Sequence, residues 1–141
     1  MTTSPVQSLS APQLGAKWLL LKTGSLRRAV DFTCLLKIVE KAEIFPVPLC
    51  GEEFLGVIYY EDKAVPVVNL SALFQLENQG DKFLILENQG DLIAIQAEEI
   101  EGILESEPKE RADELWLVLE EGLLGLDSAQ LFRKLREAQT L

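Results

Sequence analysis

The sequence predicts an all-β fold, a barrel or sandwich built from two similar small units, and three observations predict it. Apolar segments are short and numerous, turn residues punctuate most of the gaps between them, and the close of one half echoes the close of the other. The segments are 17–22 (KWLLLK), 26–39 (LRRAVDFTCLLKIV), 54–60 (FLGVIYY), 64–70 (AVPVVNL), 83–87 (FLILE), 91–97 (DLIAIQA) and 115–119 (LWLVL). Between them lie Thr23-Gly24-Ser25, Asn78-Gln79-Gly80-Asp81, Asn88-Gln89-Gly90-Asp91 and Glu121-Gly122.

Taken in order, residues 1–15 are rich in Ser, Thr, Pro and Gln and are expected to form a loose tail. Residues 16–141 then make a single domain, its first unit spanning roughly 25–80 and its second roughly 81–132. The hexapeptide LENQGD occurs at 76–81 and again at 86–91. Its second copy lies between two apolar runs and reads as a hairpin turn, with Gly90 free to take a positive φ. VVNLSALF (67–74) and LGLDSAQLF (124–132) each end an apolar strand with Asn69 or Asp127. Such residues cap helices, because their side-chain oxygen accepts from an otherwise orphan N–H. Each half therefore closes with strand, cap and short helix, docked by Leu73 and Phe74 or by Leu131 and Phe132. The last helix is expected over 128–138, with Arg133, Lys134 and Arg136 where the helix dipole favours cations. Trp18 and Trp116 are assigned to the cores of the two halves, each needing an N–H partner if buried.

Composition narrows the function. The 141 residues are 48% hydrophobic and 26% charged, a globular balance, with 13 Lys plus Arg against 23 Asp plus Glu and a net charge of −10. Binding to nucleic acid, which rests on Lys and Arg displacing counterions, is disfavoured, and so is adhesion to anionic membranes. No apolar run approaches the roughly 20 residues of a membrane span, so no direct membrane insertion is expected. The start has no signal-peptide pattern, and Cys34 and Cys50 read as unpaired thiols of a reducing compartment, so the location expected is cytoplasmic. A protein partner is the natural alternative.

No catalytic constellation emerges. The chain has no histidine, which removes imidazole as base or metal ligand. It has no Gly-rich phosphate loop, no base beside either cysteine and no calcium-loop spacing, so no catalytic residue, metal or cofactor is assigned. Ten acidic residues against two basic ones fall between Glu98 and Glu121. A carboxylate pair such as Glu98 and Glu101 would suit a small hydrolase, but the local excess is that of a solvated acidic face. Attention passes to FLGVIYYEDKAVPVVNL (54–70), two apolar strands about an acidic turn, in which Val57, Ile58, Tyr59 and Tyr60 run on without alternation. One face can line a core; the other is free to meet a partner. Pro66, lacking an N–H, is expected on an edge strand or bulge.

GVIYYEDKAVPVVNL (56–70) resembles the signature of CheW-like domains, the adaptor fold of bacterial chemotaxis. Gly56, Val57, Ile58, Tyr60, Val65, Pro66, Val67, Val68 and Leu70 match, with Asn69 for an Asp. LLKIVEKAEIFPVP (35–48), AIQAEEIEGI (94–103) and LGLDSAQLF resemble three further family segments, in order. The resemblance implies two five-stranded β-barrels packed together, and a non-enzymatic adaptor between the regulatory domain of a CheA-type histidine kinase and the cytoplasmic tip of a chemoreceptor, in chemotaxis or twitching motility. It implies a partner-binding surface at Lys37, Ile38, Gly56, Val57, Tyr59, Tyr60, Glu61, Asp62 and Pro66. The chain departs where the family's Arg-Gly turn becomes Glu61-Asp62 and its upstream Glu becomes Lys37. Lys37 and Glu61, a charge-swapped pair, are expected to face one another near the hairpin tip, and a diverged domain regulating another signalling partner outside the receptor array is the alternative function. The acidic stretch 103–115 is shorter than usual, so the second barrel is expected to lack a strand or to close differently.

Overall fold

A computed structural model describes residues 17–48, 51–120 and 122–139; the tail expectation for 1–15 and that for Cys50 lie outside these. Eleven strands run in chain order: β1 (Lys17–Thr23), β2 (Leu26–Asp31), β3 (Leu35–Val39), β4 (Phe54–Tyr60), β5 (Lys63–Val68), β6 (Lys82–Asn88), β7 (Asp91–Ala97), β8 (Glu99–Glu105), β9 (Glu110–Arg111), β10 (Trp116–Glu120) and β11 (Leu123–Leu126). A short helix α1 (Leu70–Phe74) follows β5, and helix α2 (Ser128–Gln139) follows β11, as the two echoed segments predict. The long apolar run 26–39 is not one strand. A 3-10 turn over Phe32–Cys34 breaks it where the chain leaves one sheet for the other.

The strands form a six-stranded sheet ordered β8-β1-β2-β11-β10-β9 and a five-stranded sheet ordered β3-β6-β7-β5-β4. Neither closes by a complete ladder. In the five-stranded sheet, however, the chain beyond β3 returns to the far end, where Phe45 and Val57 exchange both backbone hydrogen bonds at 2.8 and 2.9 Å. In the six-stranded sheet the two-residue β9 does the same against β10. The expected missing strand is thus present but reduced to Glu110 and Arg111.

The two sheets have the same plan. An antiparallel hairpin, β6–β7 or β1–β2, lies parallel to the strand that ends in a helix cap, β5 or β11. The chain order of these pieces corrects the expected division into 25–80 and 81–132. Residues 17–74 and 82–139 are two successive copies of hairpin, strand, return, hairpin and helix. Each copy contributes its first hairpin to the sheet completed by the other. The sequence boundary near residue 80 separates the copies; it does not separate the sheets.

This exchange produces three apolar clusters. Ile58, Val65, Val67, Phe83, Ile85 and Ala94 fill the five-stranded unit, and Trp18, Ala29, Leu117 and Leu119 the six-stranded one. A larger joint cluster, including Leu19, Leu21, Val30, Leu84, Leu86, Ile93, Ile95, Leu126, Leu131, Phe132 and Leu135, lies between the sheets and beneath α2. Trp18 is fully buried and its indole N–H donates to the Ser106 carbonyl at 2.9 Å. Trp116 is half-buried instead, edge-on to Phe74 and under the Arg28 guanidinium at 5.5 Å. Gly125 is the partner of Ala29 across the parallel ladder, and a side chain there would meet the Trp18 ring at 2.6 Å.

Polar groups fix the helices. Asn69 accepts from the Ala72 N–H at 3.2 Å, and Asn78, from the first LENQGD copy, accepts from the Leu70 N–H at 2.8 Å. The second copy forms the β6–β7 turn, with Gln89 and Gly90 both at positive φ. Asp127 accepts from the Gln130 N–H and pairs with Arg111 at 2.9 Å. Asp31, 1% exposed, accepts from the Thr33 N–H and, just beyond the parallel β2–β11 ladder, from the Ser128 N–H at 3.0 Å.

Two outcomes follow for stability, both measured by urea unfolding followed through tryptophan fluorescence. Gly125→Ala forces a methyl into Trp18 and Leu119 and is expected to cost about 1–3 kcal/mol. Asp31→Ala leaves the buried Ser128 N–H without its acceptor and is expected to cost a similar about 1–3 kcal/mol.

Candidate partner-binding site

The β4–β5 hairpin alternates once folded, although its sequence does not. Gly56, Ile58, Val65 and Val67 point inward and are buried. Val57 and Tyr59 point outward, opposite Pro66 and Ala64 respectively. Tyr60, read as part of the same run, is half-buried against the interior cluster. Its hydroxyl is held above the usual tyrosine range, chiefly by desolvation and then by the charge and hydrogen bond of Glu61. Outside, Tyr59 is 62% exposed and its ring meets Phe45, itself 43% exposed, at 5.5 Å. Phe45 was not singled out in the sequence. Its place follows from Gly56, where a Cβ would strike the Phe45 carbonyl. Gly56 is therefore a buried seat for the returning chain and not a contact surface.

Pro66 departs from expectation, since β5 lies between β7 and β4 and is not an edge. Val57 spends both backbone groups on Phe45, so the Val57–Pro66 pair lacks mutual hydrogen bonds and the absent N–H of Pro66 faces β7. There the parallel ladder is registered only at Val67–Ala94.

The outer hairpin face continues into a groove of about 490 Å³. Ala64, Pro66 and Ile93 line it together with Phe132 and Leu135 of α2. Lys63, Asp91 and Arg136 mark its polar margin. Arg136 ties α2 to the β6–β7 turn, pairing with Asp91 at 2.8 Å and donating to the Asn88 carbonyl at 2.7 Å. The helix is thus a fixed wall, with the hairpin as the other side.

With this geometry in view, the family model described as CheW-like domain matches residues 17–119. The chain belongs to the CheW-like domain family. The match ends before β11 and α2, which the structure adds as the closing elements of the same fold. The crystal structure of the scaffolding protein TtCheW from Thermoanaerobacter tengcongensis superposes with a TM-score of 0.67 at 13% identity, covering 80% of this chain and 89% of that one. At that identity the likeness shows the fold. No curated protein matches the sequence.

In this CheW-like domain the expected Lys37–Glu61 pair does not form: none of the ion pairs among the described residues joins them. Lys37 is exposed on β3, opposite Ile85 of β6, whereas Glu61 turns the hairpin at the other end of the sheet, three strands away. Ile38, beside Lys37, is half-buried against the joint cluster. Glu98 and Glu101, considered for acid–base chemistry, are each engaged elsewhere. Glu98 accepts from the Gly24 N–H at 2.9 Å, and Glu101 pairs with Arg27 at 2.9 Å. The Cys34 thiol is pushed up, first by burial and then by the charge of Asp31, which disfavours its nucleophilic form. Among the described residues no helix is long and apolar enough to cross a membrane.

Glu61 and Asp62 both hold positive φ, 50° and 66°, in a two-residue turn of the kind that favours Asn-Gly. Glu61→Asn with Asp62→Gly is expected to raise stability by about 1 kcal/mol. A thermal midpoint no higher than that of the parent would contradict this account of the turn.

Proposed function

We propose that this CheW-like domain is a non-enzymatic scaffold that joins the regulatory domain of a CheA-type histidine kinase to the cytoplasmic tip of a chemoreceptor. Its docking face is the outer side of the β4–β5 hairpin. The observation that carries the reading is the exposed Phe45–Tyr59 pair on a strip continuing through Val57, Ala64 and Pro66 into the groove beside α2. Aromatic side chains held rigidly at a surface bury large area at little entropic cost, which is why they anchor interfaces. Around them, Glu61 and Asp62 supply charge at the tip, and Tyr60 braces the strand from within. Lys37 and Ile38, on β3, belong to a second contact region at the opposite end of the sheet order.

Family membership supports the scaffold role, and the engaged states of Glu98, Glu101 and Cys34 fit a protein that works by contact. The action is then mechanical: two folded partners held on one rigid body, with the interleaved sheets transmitting displacement between them.

Calorimetry of the full chain against the kinase regulatory domain and a receptor cytoplasmic fragment from its own cell tests the reading. At least one is expected to bind, and Tyr59→Ala is expected to weaken that binding by about tenfold or more. Failure of both to bind removes the proposal. Binding unaffected by Tyr59→Ala and by Phe45→Ala would move the site elsewhere.

A further inference from the structure

The acidic tip of the β4–β5 hairpin is built against local preference. Both Glu61 and Asp62 adopt left-handed backbone, and a two-residue loop of this shape is best served by Asn and Gly. Asp tolerates such geometry, but Glu gains nothing from it. The charges are not spent inside the fold either. Among the described residues Glu101 pairs with Arg27, Asp127 with Arg111, Glu114 with Lys134 and Asp91 with Arg136, while Glu61 and Asp62 join no ion pair. Glu61 reaches only the neutral Tyr60 hydroxyl. Both tip residues are exposed, and they stand directly beyond the outward pair Tyr59–Ala64. Two carboxylates outside any ion pair among the described residues, followed in the chain by exposed Lys63, thus cap the end of an apolar strip.

Resting on the docking reading above, we propose that Glu61 and Asp62 select the partner: the face accepts a protein surface that sets Lys or Arg side chains beside an apolar strip, and rejects one that presents carboxylates there. A second copy of this chain is disfavoured as the occupant, because two molecules of net charge −10 repel one another. Opposed to a cationic surface, the same tip steers encounter and fixes register, while a like-charged surface is turned away. The strained turn is then retained for its charge, and stability and binding should respond to its replacement in opposite directions.

The test uses the full chain with the kinase regulatory domain and, separately, the receptor cytoplasmic fragment, measuring association rate and Kd at low and high sodium chloride. Glu61→Lys with Asp62→Lys is expected to weaken binding by about tenfold and to abolish or invert the salt dependence of the parent. Glu61→Asn with Asp62→Gly, a better-folded turn without charge, is expected to bind about threefold more weakly or worse while melting higher. Its higher melting point separates loss of charge from loss of fold. If the lysine variant matches the parent in Kd and salt dependence while Tyr59→Ala still weakens binding, the face is a docking site and the selection by charge is overturned. If neither partner binds the parent chain, the docking reading fails and this inference with it. Self-association of the parent through this face, abolished by Tyr59→Ala, would likewise overturn the proposed cationic partner.

Discussion

The carboxylate of Asp31 sits where the chain stops being part of one sheet and begins to enter the other. Its bonds place three elements at once. It holds the Thr33 N–H, setting the 3-10 turn that redirects the backbone, and it holds the Ser128 N–H, fixing the start of α2. One buried side chain therefore ties together the exit of β2, the path into β3 and the entry of the last helix. With α2 placed, Phe132 and Leu135 close the joint cluster and form a wall of the groove. A buried carboxylate is costly unless fully bonded. This one joins the ends of β2 and β11, neighbours in the six-stranded sheet but 97 positions apart from Asp31 to Ser128, so the stabilisation appears only when that sheet is assembled.

Much of this was legible from residue pattern. The echo of Asn69 and Asp127, each ahead of a Leu-Phe pair, identified both helix caps because capping is local and depends on one side chain and a neighbouring N–H. The second LENQGD copy was recognisable as a turn for the same reason. The break inside 26–39 was not, since Leu26 to Val39 is apolar enough for a strand throughout. Its interruption is the Asp31 carboxylate accepting from the Thr33 N–H, a cap set inside an apolar run with no Gly or Pro to mark a turn. The exchange of hairpins was equally hidden: periodicity reports which residues are buried and leaves open against whom.

The candidate site divides along the same line. Tyr59, Val57 and Pro66 lie on the outer face that an apolar hairpin implies. Phe45 was missed because the loop 40–48 looks like a connector, and only the space above Gly56 makes it part of the surface. The proposed ion pair failed for a geometric reason, since resemblance aligns positions along the chain and does not measure the distance between them. Lys37 and Glu61 are near in the pattern and three strands apart in the sheet.

The reciprocal hairpins have a consequence for how the molecule comes into being. While the ribosome is still making β8 to β11, β1 and β2 have no sheet to complete, and their apolar side chains must wait. The middle segment, β3 to β7, already contains every strand of its own sheet and can settle first as a template. The opening hairpin finds its neighbours only once β8 and β11 exist, so β1 and β2 cannot complete their sheet before the second copy has been made.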